Sequence, residues 1–264
     1  MAELNAIQAV ASSVTYTKLR DTSANIRANT DGGSITDVEG IAVEVTTTSN
    51  ATEFDAILTA ATANNANGTV AGAVADAGSA LTDVTFPNAT SITATISAAT
   101  DLTTVTLDGD VTHIDLNDVT DVLLDINDLT NRTIVNTSGN GTYKVKDTAS
   151  ALAGADASLL SDQTIVINDA NTAATTSELN TIQASMVSNG GNGTVTYTKL
   201  TGSATSLAAN TNDIIAGVAV TIDDTNNTAA TVAELNDIQT AVAGAAGASP
   251  VSYTHLTLPT TNSV

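Results

Sequence analysis

Seven aspartates between positions 108 and 128 have the type and spacing to bind a metal ion. They are Asp108, Asp110, Asp115, Asp118, Asp121, Asp125 and Asp128, and the nearest basic residue is Arg132. Ca²⁺ takes about six to eight oxygen ligands from Asp, Asn and backbone carbonyls, so these carboxylates could hold it. The EF-hand pattern and the glycine-rich calcium nonapeptide are absent. The plainer interpretation is that Asp and Asn form turns and keep strand edges soluble, so Ca²⁺ stays an alternative and no metal ligand is assigned.

Catalytic chemistry has weaker support in the sequence. His113 lies in a predicted strand without the Ser and Asp partners that nucleophilic catalysis requires. Paired carboxylates could serve a glycosidase or a polysaccharide lyase, and β-helices host such enzymes. Sugar rings usually stack on aromatic side chains, and aromatic residues make up 2% of this chain. We therefore predict no enzyme activity, and we assign no catalytic and no cofactor-binding residue.

The charge of the chain excludes several kinds of partner. Its 28 acidic and 7 basic residues give a formal net charge of −21. Nucleic acids and anionic membranes are bound mainly through Lys and Arg, so neither is an expected partner. No apolar run is long enough for a membrane-spanning helix, so membrane insertion is not expected. A hydrophobic content of 42% and a mean hydropathy of +0.14 predict a folded chain rather than a disordered one.

Two sequence motifs recur along the chain and predict a repeat architecture. Glu-Leu-Asn-x-Ile-Gln occurs at Glu3, Glu178 and Glu234, with a looser copy at Glu53. Val-Thr-Tyr-Thr-Lys-Leu occurs at residues 14–19 and again at 195–200, where it predicts a strand. Such internal repetition is typical of solenoids, in which each unit packs only against its neighbours.

Each repeat is expected to contain two strands and two short helices. Thr175 with Glu178, and Thr231 with Glu234, form capping boxes that predict helix starts, and Asn50 with Glu53 imitates them. Val232 begins an apolar series at helical spacing that continues through residues 235, 238 and 242. Ser203 is a candidate N-cap for a short Ala-rich helix, and residues 218–222 alternate as a second strand. Parallel strands joined by such helices predict an α/β fold.

The centre of the chain has a different pattern. Residues 101–140 contain no Ala, and three segments, 102–107, 111–116 and 119–126, read as consecutive short strands. The breaks between them are Asp108-Gly109-Asp110 and Asn117-Asp118, and turns about ten residues apart leave no room for a helix. A β-helix-like or leucine-rich-repeat-like centre is expected. A separate small β domain is the alternative.

These patterns divide the chain into four parts. An α/β repeat block covers 1–75, an Asp-rich β solenoid segment covers 76–141, and a second α/β repeat block covers 142–250. Residues 251–264, VSYTHLTLPTTNSV, contain no Ala, Asp or Glu and resemble a translated read-through of sequencing-adapter DNA. This part is expected to be a non-native tail, with a final capping strand as the alternative. Together with the missing N-cap before the first helix, it indicates an internal fragment of a longer protein.

The repeat blocks also resemble a recurrent class of bacterial sequence. Residues 21–26, DTSANI, and residues 200–207, LTGSATSL, are similar to the Asp-Thr-Ala-Ala-Asn-Ile and Leu-Thr-Gly-Thr-Ala repeats of very large bacterial surface and secreted proteins. The likeness covers roughly residues 1–60 and 142–245 and fits the centre poorly. It implies an extracellular or cell-surface location and a structural, adhesive role. It transfers no site residue.

The sequence therefore predicts an elongated α/β solenoid with parallel β-sheet and short helices. Its expected function is that of a spacer or adhesive stalk segment in a large bacterial surface or secreted protein. The expected partners are neighbouring repeats of the parent chain, and cell-surface or matrix components. A calcium-dependent adhesion module is the first alternative, and a β-helical carbohydrate-active enzyme is a remote one.

Overall fold

The structure is a computed structural model that describes residues 1–11, 13–31, 34–77, 80–81, 85–188, 191–223, 230–245 and 251–253. The described chain is a mixed α/β structure with short helices and several parallel sheets, which confirms the fold-class prediction at this level. It separates into two compact units. Unit 1 comprises Met1–Val122 and Asp128–Tyr143, and unit 2 comprises Leu123–Asn127 and Lys144–Val264.

The elements follow each other along the chain at short intervals. The helices are α1 (Ala2–Gln8), α2 (Ser23–Ala28), α3 (Ala51–Ala61), α4 (Ile126–Asn131), α5 (Ala149–Gly154), α6 (Ala157–Leu160), α7 (Thr176–Met186), α8 (Ala204–Ala209) and α9 (Val232–Gly244). The strands are β1 (Lys18–Asp21), β2 (Thr30–Asp31), β3 (Ser34–Ile35), β4 (Ala42–Val45), β5 (Thr69–Ala71), β6 (Ala73–Ala77), β7 (Ser91–Thr95), β8 (His113–Asp115), β9 (Val122–Leu124), β10 (Thr133–Val135), β11 (Tyr143–Asp147), β12 (Thr164–Ile167), β13 (Ala174–Thr175), β14 (Thr194–Thr196), β15 (Lys199–Gly202), β16 (Ala219–Ile222) and β17 (Ser252–Tyr253).

Unit 1 contains two parallel sheets and a small antiparallel pair. The sheets have the strand orders β1-β4-β5 and β10-β8-β7-β6, and β2 pairs with β3 in antiparallel fashion. In the four-stranded sheet His113 pairs with Thr93 on one side and Thr133 on the other. Residues 93, 113 and 133 therefore lie opposite one another on neighbouring strands at equal intervals along the chain. Each interval is long enough for the crossover connection that parallel strands require.

Unit 2 repeats this parallel arrangement. Its sheets have the orders β14-β12-β11-β9 and β13-β15-β16-β17. Lys199 and Leu200 of β15 pair with Ala219 and Val220 of β16, as Lys18 and Leu19 of β1 pair with Ala42 and Val43 of β4 in unit 1. The Lys-Leu halves of the two Val-Thr-Tyr-Thr-Lys-Leu motifs thus have equivalent parallel pairings, each within its own unit.

The predicted helix starts are confirmed by their caps. Both capping boxes form, with Thr175 accepting from the Glu178 N–H and Thr231 accepting from the Glu234 N–H. Asn50 caps α3 in the same way, whereas Met1, the residue before α1, makes no side-chain cap. These starts are predictable because a cap satisfies a donor only two or three residues away, so the signal is local.

Two predictions for the centre are wrong. The segment 102–107 is not a strand: residues Leu102–Thr104 form a 3₁₀ helix, because the Asp101 carboxylate accepts the Thr103 N–H at 3.2 Å and caps that turn. A helix, α4, also occurs where the turn spacing left no room for one. The predicted breaks are confirmed, since Asn117 and Asp118 both adopt positive φ, at 44° and 65°.

The predicted continuous strand over residues 195–200 is also wrong. It is divided into β14, which pairs with β12, and β15, which pairs with β13 and β16. The break lies at Thr198, where the Asp169 carboxylate accepts the Thr198 N–H and hydroxyl and, at 2.6 Å, the Lys199 N–H. A carboxylate that takes these donors replaces the ladder bonds of a strand, so the chain turns from one sheet into the next.

Small aliphatic side chains form most of the core, as the composition predicts. The exception in unit 1 is a contact between Phe54 of α3 and Phe86, whose ring centroids lie 5.2 Å apart at 68°. Phe54 is completely buried and Phe86 is 3% exposed. The chain has two Phe residues in total, so both lie in this edge-to-face contact.

The structure describes Val251–Tyr253 of the C-terminal segment, and residues 254–264 lie outside the described residues. Ser252 and Tyr253 pair in parallel with Thr221 and Ile222 of β16. A strand at this position agrees with the alternative of a capping strand. The origin of residues 251–264 as a whole stays a prediction, as do the four domain boundaries.

Candidate functional site

The carboxylates of the Asp-rich centre mostly accept hydrogen bonds from nearby backbone. Asp108 accepts the Asp110 N–H at 2.9 Å, and Asp110 accepts the Phe86 N–H at 3.4 Å. Asp118 accepts the Asn140 N–H at 3.2 Å. Each of these bonds closes a turn or joins neighbouring turns, which is the role that the plainer interpretation gives to Asp in loops.

Asp115, at the end of β8, is a buried carboxylate of the centre that accepts three hydrogen bonds. It is 8% exposed and accepts the Thr137 hydroxyl at 2.7 Å, the Thr137 N–H at 3.0 Å and the Asn117 N–H at 3.1 Å. Burial by itself would raise the pKa of Asp115, but these hydrogen bonds outweigh it and hold the pKa below its ordinary value of 3.8. The side chain therefore fastens the turn after β10 to the end of β8.

We expect Asp115→Asn to reduce the pH dependence of the free energy of unfolding at acid pH. Because the folded pKa lies below the unfolded value, the ionised Asp115 stabilises the fold above about pH 3.8 and loses this effect as the pH falls through the folded pKa. Hydrogen bonds to a charged group contribute about 1.5–3 kcal/mol, so the variant should unfold that much more easily at pH 7. The difference from the parent chain should shrink as the pH falls from 3.8 through the folded pKa. Urea unfolding across this range measures it.

Asp31 is the control for this experiment, because it is exposed in the same unit. Asp31→Asn should give a profile parallel to that of the parent chain. An Asp115→Asn difference that stays constant from pH 7 to pH 2 would mean that the ionised carboxylate does not carry the effect.

Asp128, which lies on α4, forms a buried ion pair with Arg132, the residue that follows α4. Both side chains are 7% exposed, and the guanidinium donates to Asp128 Oδ1 at 2.6 Å. The same guanidinium donates to the carbonyls of Leu107 and Asp108 at 3.2 and 3.3 Å. The Asp128 carboxylate therefore has a structural role, because it is paired with Arg132.

The aspartates of the centre are not assembled into a metal site among the described residues. Among the described residues there is no group of three or more His, Asp or Glu side chains that could hold a metal ion. His113 lies in β8 with its Nδ1 at 2.8 Å from the hydroxyl of the adjacent Thr112. His255, the other histidine, lies outside the described residues. Calcium binding and the expectation of no catalysis stay predictions.

A polar cluster that the sequence analysis did not identify joins the two repeat motifs in unit 1. Gln8, at the end of the Glu-Leu-Asn-x-Ile-Gln motif, donates to Asp37 Oδ1 at 2.8 Å. Tyr16, in the centre of the second motif, donates its hydroxyl to the Asp37 carbonyl at 2.8 Å. We call this arrangement the Gln-Asp-Tyr cluster.

Unit 2 contains a second copy of the Gln-Asp-Tyr cluster. Gln183 of α7 donates to Asp213 Oδ1 at 2.9 Å, and the Tyr197 hydroxyl donates to the Asp213 carbonyl at 2.5 Å. Asn180, one turn earlier on α7, donates to Asn210 Oδ1 at 3.3 Å. Asp213 and Tyr197 are each 8% exposed, so this copy is more deeply buried than the first.

The electrostatics of the two clusters agree with a structural role. Burial, followed by the nearby Asp37 carboxylate, raises the pKa of Tyr16 to about 12. Burial and the Asp213 charge also raise the pKa of Tyr197. Burial alone would raise the pKa of Asp37, but hydrogen bonds led by Asn29 and Gln8 lower it. Both phenols therefore remain protonated donors at neutral pH, which suits a fixed hydrogen bond and not proton transfer.

The sequence contained a partial signal for these clusters. The Gln and Tyr positions recur in both motifs. The interval from the Tyr to its Asp, however, is longer in unit 1, from Tyr16 to Asp37, than in unit 2, from Tyr197 to Asp213. A partner at variable spacing cannot be found from periodicity alone.

Comparisons with known proteins do not place the chain in a family. Within the described residues, no helix has the length and apolar character needed to cross a membrane. No protein-family model matches the chain, and neither a curated protein nor a solved structure matches it significantly.

Proposed function

We propose that the chain is a structural or adhesive repeat segment, a spacer or stalk, of a large bacterial cell-surface or secreted protein. In this proposal the α/β units are parts of an elongated solenoid, with a β-helix-like or leucine-rich-repeat-like centre. It has no enzyme activity, and its partners are neighbouring repeats and surface or matrix components. The resemblance of residues 21–26 and 200–207 to bacterial surface repeats supports the location.

The observation that carries the proposal is the repeated Gln-Asp-Tyr cluster. Two copies of one polar arrangement, each joining the same pair of motifs, are what a chain built from stacked repeats requires. The parallel pairings of His113 with its two partners, at equal intervals along the chain, add support because regular return spacing is typical of solenoids. The hydrogen-bonded carboxylates of the centre favour a turn-forming role over calcium binding.

Small-angle scattering in EDTA and in CaCl₂ tests this function against a compact fold and against the calcium-dependent module. A compact globule of 264 residues would have a radius of gyration of about 18 Å. A spacer should give a clearly larger value that is the same in both buffers, with MgCl₂ as the control cation. A radius equal to that of the compact globule in both buffers would contradict the spacer. A change specific to CaCl₂ would favour the calcium-dependent module.

A further inference from the structure

The apolar face of α9 is open at positions that are covered on α7, the equivalent helix of the preceding repeat. Val232 is 75% exposed, whereas its counterpart Thr176 is 5% exposed. Leu235 is half-buried, whereas Leu179 is completely buried. A cavity of about 530 Å³ opens beside α9, and its lining includes Ile222, Leu235, Ile238, Gln239, Val242 and Val251. We call this surface the α9 groove.

Unit 2 itself contains the segment that covers the equivalent face of α7. A Cβ at Gly202 of β15 would lie 3.1 Å from the Thr176 side chain, so the backbone there passes directly over the start of α7. Farther along the helix, the turn after α8 binds it through Asn210 and Asp213. Gly202 of β15 and the turn after α8 therefore contact α7, and Asp213 completes a Gln-Asp-Tyr cluster with Gln183.

The α9 groove has the other parts of such a cluster. Gln239 corresponds to Gln183 and is exposed. Val251 corresponds to Val195 at the same offset along the chain. β17 continues the sheet beside β16 with Thr221 opposite Ser252, as Val166 of β12 lies opposite Thr196 of β14. Among the described residues, the groove has no counterpart of Gly202 or of the Asp that accepts from Gln183.

We propose that the α9 groove binds a following repeat of this chain's own type. Its occupant is a segment like residues 199–213: a strand ending in Gly, a short Ala- and Leu-containing helix, and a turn with an Asp. The Gly would pass over Val232, and the Asp would accept from Gln239. This inference rests on the repeat part of the proposed function and is independent of a cell-surface location.

The test adds one repeat to the full chain. Residues 251–264 are replaced by a copy of residues 195–245, which keeps the repeat in register, and hydrogen exchange of α9 is compared with the parent chain. The extended chain should melt at a higher temperature, and its α9 amides should exchange about tenfold more slowly or better, because local opening must now break the added packing. An extension of equal length made of Gly and Ser is the control and should change neither quantity.

Two substitutions show whether the groove itself is responsible. Val232→Asp and Gln239→Ala lie on an exposed face of the unextended chain and should leave its melting temperature unchanged, but each should remove much of the protection gained by the extension. Equal protection of α9 with and without the added repeat would overturn the proposal. So would concentration-dependent self-association of the unextended chain that protects α9, because the occupant would then be a second copy. A radius of gyration that contradicts the spacer function would not change the hydrogen-exchange result for α9.

Discussion

Asp128→Ala is expected to lower the free energy of unfolding of unit 1 by about 3–5 kcal/mol, because removing one member of a buried ion pair leaves the other charge uncompensated. Asp128 and Arg132 are each 7% exposed. Without the carboxylate, the guanidinium keeps its bonds to the carbonyls of Leu107 and Asp108, which carry no full charge. Urea unfolding, together with hydrogen exchange of unit 1 peptides, measures the loss.

Two controls separate the charge effect from lost packing. The double variant Asp128→Leu with Arg132→Met should unfold more like the parent chain than the single variant, because neither charge remains buried. Arg27→Met breaks a pair with Glu53 whose side chains are 41% and 27% exposed, and it should change stability by less than about 1 kcal/mol. A loss for Asp128→Ala as small as that for Arg27→Met would contradict a buried pair.

The Asp128–Arg132 pair also shows why the centre was harder to predict than the repeats. Residues four apart face each other only on a helix, and the closely spaced Asp and Asn residues of this region were interpreted as turns between strands. Once α4 is known, the spacing of 128 and 132 indicates a pair at once. The error in one short element therefore hid a buried ion pair.

The repeat helices could be predicted because their signals are local, whereas the strands depend on distant residues. Thr175 and Thr231 cap helices whose Glu lies three residues away. By contrast, the alternating pattern of residues 195–200 contains nothing that marks a break at Thr198. That break depends on Asp169, 29 residues earlier in the chain. Periodicity predicts the side chains that could form a strand, but it does not show where a distant carboxylate ends the strand.

The same distinction applies to the Gln-Asp-Tyr clusters. Gln183 and Tyr197 belong to motifs that repeat, so their importance could be suspected from the sequence. Asp213 follows a strand and a short helix, and the length of this segment differs between the two copies because the turns between elements accept insertions. The acceptor of both hydrogen bonds therefore became evident only when the chain was folded.

Phe54→Ala is expected to destabilise unit 1 by about 3–5 kcal/mol, the range for removing a buried aromatic side chain. Phe54 is completely buried on α3, and its ring contacts Phe86 edge to face at 5.2 Å. Because protein interiors are close-packed, the surrounding side chains can fill only part of the space that the ring leaves. Urea unfolding measured by circular dichroism should show the loss, with faster hydrogen exchange in α3.

Phe54→Leu is the informative companion, because Leu occupies the same motif position at Leu4, Leu179 and Leu235. If the α3 repeat has the same backbone frame as the others, Leu should be accommodated at a loss of about 1.5 kcal/mol or less. Thr59→Ala, at an exposed position of the same helix, should change stability by less than about 0.5 kcal/mol. A loss for Phe54→Leu equal to that for Phe54→Ala would mean that the aromatic pair, and not the shared repeat frame, determines the packing of α3.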